Sequence, residues 1–240
     1  MVEIKSGTLY IVATPIGNLR DITYRAVEIL REVELIAAED TRKTKILLDF
    51  YDISKPMVSY FSQNEHRRVP ELINRLQYGS SVALVTDAGT PGISDPAYAI
   101  VHAAVLAGIT VVPLPGPTAF VSALVASGLP TDSFVFEGFL PMKKGRQTLL
   151  QKLAQEERTV ILYESPHKIS KTLGEMQKYF GDRYVVLARE ITKKFEEFLR
   201  GPLPDVMKAI EGRTVKGEFV VVIKGKSKKD KEDVREQGRG

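Results

Sequence analysis

The sequence predicts an α/β fold, with a largely parallel sheet in its first half and a mixed sheet in its second half. Short apolar runs alternate with segments of helical spacing up to Pro113, which is typical of β-α-β units. Proline and glycine then cluster from Pro113 to Pro117 and indicate a boundary between two domains, 1–115 and 116–225. Beyond that cluster, neighbouring predicted strands in places lack a helix between them.

The elements of the first half follow from apolar runs and their periodicity. Each strand is a short apolar run, and each helix repeats apolar residues every three or four positions, as Val69, Leu72, Ile73 and Leu76 do. The predicted strands are Leu9–Ala13, Leu35–Ala38, Met57–Tyr60, Val82–Thr86 and Thr110–Pro113. The predicted helices are Ile22–Val33, Thr41–Phe50, Glu65–Tyr78 and Pro96–Ala107.

The second half follows by the same reasoning. Its predicted strands are Phe134–Glu137, Thr159–Tyr163, Tyr184–Ala188, Phe195–Leu199 and Glu218–Ile223. Its predicted helices are Pro117–Ser127, Arg146–Glu156, Pro166–Tyr179 and Pro204–Glu211. Pro117 falls near a first turn, where proline is tolerated. Residues 226–240 are almost devoid of apolar side chains, so we predict a charged, flexible tail that is solvated or contacts RNA.

Composition limits the class of protein. The 240 residues are 43% hydrophobic and include no cysteine, so disulfides and thiolate chemistry are excluded. No apolar run approaches the roughly 20 residues that span a bilayer, and the amino terminus lacks a secretory signal, so we expect a cytoplasmic protein without membrane contact. The net charge of +4 is compatible with a polyanionic partner. His66 and His102 lack partners at metal-ligand spacing, so no metal site is predicted.

The segment Thr86–Pro96 is the most unusual of the chain. It leaves a predicted strand, contains two glycines, and enters a helix for which Asp95 is the expected N-cap and Pro96 the first residue. A tight turn without a ligand is one interpretation. The other is a ligand-binding loop at the carboxyl end of a strand, where open α/β sheets bind ligands. Its candidate binding residues are Asp87, Gly89, Thr90, Gly92 and Ile93.

Two further loops are candidates for ligand binding. Thr14–Asn18 also follows a strand, and Leu114–Ala119 offers backbone N–H groups at a helix start, although a plain interdomain hinge explains the latter equally well. Neither GxGxxG nor GxxxxGK[ST] occurs, so dinucleotide-binding and P-loop interpretations lose their main support.

Acidic side chains follow two predicted strands. Glu39, Asp40 and Arg42 come directly after the second strand, and Glu65 follows the third. They can form a polar site for a substrate hydroxyl. Alternatively, Asp40 or Thr41 caps the next helix and Glu39 pairs with Arg42.

A basic loop precedes a helix of the second half. Lys143, Lys144 and Arg146 are either a solvated turn or contacts to an RNA backbone.

Eight motifs along residues 8–225 together resemble a known family. They are TPIGNLxD, AEDTR, QNE, TDAGTPGISDP, PGPTA, EGFLPxKxG, YESPHK and GEFVVVIKG, in this order. They resemble the bacterial 16S rRNA 2′-O-ribose methyltransferases of the tetrapyrrole-methylase superfamily. The resemblance implies two α/β domains of the class III methyltransferase type, with S-adenosylmethionine (SAM) in the interdomain cleft, and a homodimer. The implied substrate is a cytidine in the decoding region of 16S rRNA within the 30S subunit.

The resemblance also assigns site residues. The superfamily's SAM contacts fall on Pro15, Thr90, Ile93, Thr118, Ala119, Tyr163, Ala188 and the start of the last strand near Phe219. Our own candidates for the base that activates the ribose hydroxyl, or for the group that orients it, are Glu39, Asp40 and Glu65, with Arg42 holding a carboxylate or phosphate.

The sequence departs from the tetrapyrrole enzymes in its first two loops. TPIGNLRD stands where those enzymes have GxGPGDP, and Thr90 replaces an acid. These changes argue against a porphyrinoid substrate. A SAM-dependent methylase of a corrin or sirohaem precursor remains the alternative enzyme, and a non-catalytic RNA-binding module of the ribosome is the alternative outside catalysis.

Overall fold

The structure is a computed structural model that describes residues 4–213 and 216–227. The chain divides into two compact units, one ending at Thr118 and the other beginning at Ala119. Most of the predicted charged tail, from residue 228 onward, lies outside the described residues.

The first unit contains a five-stranded parallel sheet, as the sequence predicts. Its strands are β1 (Thr8–Val12), β2 (Leu35–Ala38), β3 (Met57–Ser59), β4 (Val82–Val85) and β5 (Thr110–Leu114), in the order β3-β2-β4-β1-β5. All neighbouring pairs run parallel. Because the strands are parallel, the loops that follow them all leave from the same edge of the sheet.

Helices cover both faces of this sheet. They are α1 (Tyr24–Glu32), α2 (Thr41–Phe50), α3 (Glu65–Gln77) and α4 (Tyr98–Leu106), and a short 3-10 helix spans Leu19–Asp21. Alternation along β1 sends Tyr10 and Val12 into the core with α1 and α2, and Leu9 and Ile11 into the core with α3 and α4. Burial on both sides explains why the strands are continuously apolar.

Helix α4 begins later than predicted. Its N-cap is Ala97, so the expected cap at Asp95 and first turn at Pro96 are wrong. Gly92 and Ser94 have φ values of +89° and +67°, outside the right-handed helical region. The glycine-rich loop therefore extends to Ala97 before the helix starts.

The second unit contains the predicted mixed sheet. Its strands are β6 (Phe134–Phe139), β7 (Thr159–Glu164), β8 (Tyr184–Arg189), β9 (Glu197–Pro202) and β10 (Phe219–Ile223), in the order β6-β7-β10-β8-β9. Only the β6–β7 pair among these neighbours is parallel.

Helices also cover both faces of the second sheet. They are α5 (Ala119–Val125), α6 (Arg146–Ala154), α7 (Ile169–Phe180) and α8 (Leu203–Ile210). Helices α6, α7 and α8 pack on the face that carries Leu162 and Phe219. Helix α5 packs on the opposite face, which carries Ile161 and Val220.

Strand β6 contains a bulge at Gly138. The register along β7 pairs Phe136 with Ile161 and Phe139 with Tyr163, so three steps along β6 lie opposite two steps along β7. Gly138 accommodates the irregularity with a φ of +69°. The bulge places Phe136 and Phe139 on the same face of the sheet, although their spacing of three would put them on opposite faces of a regular strand.

Within residues 4–213 and 216–227, no helix has both the length and the apolar character needed to cross a bilayer.

Candidate cofactor and catalytic site

Two strand-exit loops of the first unit are joined by a pair of backbone hydrogen bonds. The N–H of Thr14, after β1, donates to the carbonyl of Gly89 at 2.8 Å, and the N–H of Gly89 donates back at 2.9 Å. The Thr14 hydroxyl also donates to the carbonyl of Thr86 at 3.0 Å. The first loop is thus fixed to the glycine-rich loop after β4.

The proline cluster after β5 joins the same two loops. The Thr90 hydroxyl donates to the carbonyl of Pro117 at 3.1 Å and lies 2.7 Å from the Thr118 hydroxyl. At Gly116, an added Cβ would lie 2.7 Å from the Cβ of Ala13, so the backbones approach more closely than any side chain allows. The structure therefore brings the three candidate ligand loops of the first unit together.

Two glycines shape the loop after β4. Gly89 and Gly92 have φ values of +88° and +89°, in the left-handed region that other residues adopt only with strain. Gly89 is buried and gives both of its backbone groups to Thr14, whereas Gly92 is exposed and leaves the backbone of the loop without a covering side chain.

Glu39 and Asp87 link the exits of β2 and β4 reciprocally. Oε2 of Glu39 accepts from the Thr86 hydroxyl at 2.6 Å and from the Asp87 N–H at 3.2 Å. In return, Oδ1 of Asp87 accepts from the Asp40 N–H at 3.1 Å. Oδ2 of Asp87 accepts from Nζ of Lys43 at 2.7 Å. The sequence did not single out Lys43, because its partner lies on a different loop.

Asp40 serves as the cap of α2. Its Oδ1 accepts from the Arg42 N–H at 2.9 Å, and the Arg42 guanidinium donates to both carboxylate oxygens at 3.0 and 2.7 Å. Capping, one of the two interpretations left open, is confirmed, whereas the expected pairing of Glu39 with Arg42 is wrong. Hydrogen bonds from Arg42 hold the pKa of Asp40 well below its usual range. A carboxylate with so low a pKa is a weak base, so Asp40 is poorly suited to accept a proton.

Glu65 is the first residue of α3, beyond the edge strand β3. Its Oε1 accepts from the Tyr60 hydroxyl at 2.8 Å. Burial, followed by the hydrogen bond to Glu65, raises the pKa of Tyr60 above its usual range. Tyr60 therefore remains a phenol whose hydrogen bond orients the Glu65 carboxylate.

In the second unit, Tyr163 lies in an aromatic cluster on the α5 face. Its hydroxyl accepts from the Phe120 N–H at 3.2 Å, next to Ala119 at the start of α5. Its ring packs against Phe136 and Phe139 with centroids 5.1 and 5.5 Å apart. Ala188 belongs to the same face and is fully buried.

Phe219 lies on the opposite face of that sheet. Its side chain is buried in the core formed with α6, α7 and α8. The Phe219 side chain therefore does not face α5, and the predicted cofactor contact at the start of the last strand, near Phe219, stays a prediction, as does that at the buried Ala188.

Arg146 does not belong to the exposed basic loop, and its predicted RNA contact is wrong. Lys143 and Lys144 are exposed, but the Arg146 side chain is only 9% exposed. Its guanidinium donates to Glu175 Oε2 and to the Thr172 hydroxyl, both at 2.6 Å, and to the Pro141 carbonyl at 3.2 Å.

A buried carboxylate completes the network around Arg146. Oε2 of Glu164 accepts from the Thr172 hydroxyl at 2.6 Å and lies 3.8 Å from Nη2 of Arg146. Arg146 thus anchors the start of α6 to the end of β7, beneath the loop that carries the two lysines.

In the part of the chain that the structure describes, no three His, Asp or Glu side chains are grouped so that they could hold a metal ion.

Replacing Gly116 by Ala should lower the free energy of unfolding by about 1–3 kcal/mol, because the added methyl overlaps the Cβ of Ala13. Urea denaturation measures the change. Gly174→Ala is the matched control: its Cβ would meet nothing closer than 4.0 Å, within helix α7, and should stabilise the protein by about 0.5–1 kcal/mol. Equal stability of Gly116→Ala and wild type would contradict the close approach.

Replacing Arg146 by Met should lower the free energy of unfolding by about 3–5 kcal/mol, because Glu164 is left buried without its cation. The same denaturation assay applies. Arg158→Met removes a guanidinium of an exposed pair with Glu156 and should leave stability nearly unchanged. If the two variants are equally stable, the buried network does not anchor α6.

Comparisons with known proteins identify the family. The sequence profile of the Tetrapyrrole (Corrin/Porphyrin) Methylases matches residues 8–207. A protein of Synechocystis sp. named Ribosomal RNA small subunit methyltransferase I is 53% identical over 96% of this chain and 84% of its own length. The protein of that name from Thermotoga maritima is 47% identical over 92% of this chain and 99% of its own length.

Solved structures share the fold at low sequence identity. Uroporphyrin-III-C-methyltransferase from Thermus thermophilus has a TM-score of 0.64 and 19% identity, covering 91% of this chain and 94% of its own. Diphthine synthase has a TM-score of 0.69 and 16% identity, covering 90% of each chain. The chain therefore belongs to the tetrapyrrole methylase family and, within it, to the group of proteins named Ribosomal RNA small subunit methyltransferase I.

Proposed function

We propose that the protein transfers a methyl group from SAM to the ribose 2′-hydroxyl of a cytidine in the decoding region of 16S rRNA, within the small ribosomal subunit. The observation that carries this proposal is the linked carboxyl edge of the first sheet, where Glu39 and Asp87 adjoin a glycine-rich loop. The names of the relatives that match almost the whole chain supply the substrate class.

The residues at this edge fit a small polar cofactor such as SAM. Gly92 is exposed, so no side chain covers the backbone there, and the paired hydroxyls of Thr90 and Thr118 add oxygen acceptors in the same group of loops. The half-buried side chain of Ile93 adds an apolar surface beside them. SAM supplies a methyl carbon bonded to a positively charged sulfur, so the protein's contribution is binding and alignment. Pro15 in the first loop and Asp87 complete the proposed contacts.

Among the three acidic candidates, Glu39 is best placed as the general base. Asp40 is held by Arg42 and has a lowered pKa, and Glu65 begins α3 beyond the edge strand β3, whereas Glu39 is bonded directly to the loop after β4. Both hydrogen bonds to Glu39 are made by Oε2, which fixes the carboxylate and leaves Oε1 to accept the proton of the ribose hydroxyl. A ribose hydroxyl is a poor nucleophile at neutral pH, so proton removal is where a positioned carboxylate helps.

Two cations at the same edge suit the substrate's phosphates. The side chains of Arg42 and Lys43 are 88% and 62% exposed although each pairs with an aspartate. They can bind an RNA phosphate while their partners Asp40 and Asp87 hold them in place.

Replacing Glu39 by Gln should lower kcat by roughly 10²–10⁴-fold, because the amide cannot accept the proton, while the KM for SAM changes little. Initial rates of methyl transfer to 30S subunits measure both constants. Glu34→Gln is the control, since Glu34 is an exposed acid at the opposite end of the same strand. A kcat for Glu39→Gln equal to that of Glu34→Gln would exclude Glu39 as the base.

The proposed substrate is tested with SAM labelled on its methyl group and 30S subunits from cells that lack this modification. We expect label in 16S rRNA, with the modified ribose mapped to a cytidine by mass spectrometry of nuclease fragments. The fold neighbours favour one competing substrate, a tetrapyrrole precursor such as uroporphyrinogen III, which is assayed in parallel. Label in the tetrapyrrole and none in RNA would overturn the proposal. A failure of SAM to shift the thermal midpoint would favour a non-catalytic RNA-binding module.

Two properties of the assembly accompany the proposal. A homodimer is expected from the resemblance, and light scattering during size-exclusion chromatography measures it. With a ribosomal substrate, we expect the protein in the cytoplasm.

A further inference from the structure

We propose that the loop between β6 and α6, residues 139–145, binds an unpaired stretch of RNA, with Phe139 stacking on a base and Lys143 and Lys144 contacting phosphates. This inference rests on the proposed function, because it assigns part of the RNA-binding surface of the same enzyme. Phe139 and Met142 were not singled out in the sequence.

The bulge at Gly138 determines where Phe139 points. Phe136 lies on the α5 face of the sheet. In a regular strand, Phe139 would lie on the other face, which α6, α7 and α8 cover. The bulge instead directs it to the α5 face, where its ring lies 5.5 Å from that of Tyr163. Bulges often re-aim a side chain next to a functional site. Here the re-aimed side chain is an aromatic ring that is 58% exposed.

Exposure and charge match unpaired RNA. Met142 is 73% exposed, and Lys143 and Lys144 are exposed beside it. Residues 139–145 contain two basic side chains, Lys143 and Lys144, and no acidic one. An exposed ring next to free cations fits the alternation of bases and phosphates along a single strand, whereas a duplex keeps its bases stacked on one another.

The loop is held from beneath at both ends. Leu140 is buried in the core with α6, α7 and α8, so the residue next to Phe139 is fixed. Arg146 donates to the carbonyl of Pro141 and pairs with Glu175. The two anchors hold the backbone on either side of Met142 and the lysines, which limits the conformational entropy lost when RNA binds.

The stacking role is tested by the affinity of the full-length protein for a fluorescent, unstructured 12-nucleotide RNA, measured by anisotropy at several KCl concentrations. Phe139→Ala should weaken binding about tenfold with an unchanged salt dependence, because stacking releases no counterions. Phe139→Tyr, which keeps the ring, should bind like wild type. Phe195→Ala is the control, since Phe195 is an equally exposed aromatic of the same unit, at 65%.

The proposed phosphate contacts of Lys143 and Lys144 are tested by the salt dependence of RNA affinity in the same titration. The double variant Lys143→Ala, Lys144→Ala should bind more weakly. Its log affinity should also fall less steeply with log salt concentration, with the slope reduced in magnitude by about 0.7 for each lysine. Phe139→Ala should bind a blunt-ended duplex of the same sequence with nearly the affinity of wild type, because the bases of a duplex are not available for stacking. Thermal midpoints of all variants should match wild type, which shows that the fold is retained.

The proposal is overturned if Phe139→Ala binds the single strand as wild type does, if Phe195→Ala loses as much affinity, or if wild type does not bind the oligonucleotide. These outcomes differ from a failure of the proposed function. An enzyme that methylates 30S subunits but binds RNA independently of Phe139 keeps its function and loses only this surface, whereas absence of methyl transfer by wild type overturns the function itself.

Discussion

The reciprocal hydrogen bonds between Glu39 and Asp87 are the constraint on which the candidate site depends. Each carboxylate accepts a backbone N–H from the loop that carries the other, so the exits of β2 and β4 hold each other in place. Thr14 and Gly89 add a second pair of bonds, to the exit of β1. A parallel sheet brings its loops to one edge, but these side chains and backbone pairs determine the conformation that the loops adopt there.

Charge at this edge is paired but accessible. Asp40 caps α2 and pairs with Arg42, and these bonds lower the pKa of its carboxyl group. The Arg42 guanidinium remains exposed to solvent. Glu39 is oriented through Oε2 alone, which fits the role that we propose for its Oε1. The two neighbouring acids differ in their hydrogen bonds: a cation binds both oxygens of Asp40, whereas neutral donors bind a single oxygen of Glu39.

Local signals in the sequence predicted the elements well. Strand β2 and helix α2 have the predicted bounds, because an apolar run and the cap at Asp40 are signals that lie within the segment itself. Features that depend on distant residues were missed or wrong. Arg146 reads as part of a basic loop, but its partner Glu175 lies 29 residues further along the chain. The bulge at Gly138 and the left-handed Ser94 likewise leave no periodic signal.

The central claim is that the carboxyl edge of the first sheet holds the methyl donor, and hydrogen–deuterium exchange with and without saturating SAM tests it most directly. We expect slower exchange in peptides covering residues 12–18 and 86–94, with little change in residues 78–81, which precede β4 and so lie at the opposite edge of the sheet. Unchanged exchange in both loops, with protection appearing only elsewhere in the chain, would contradict the account.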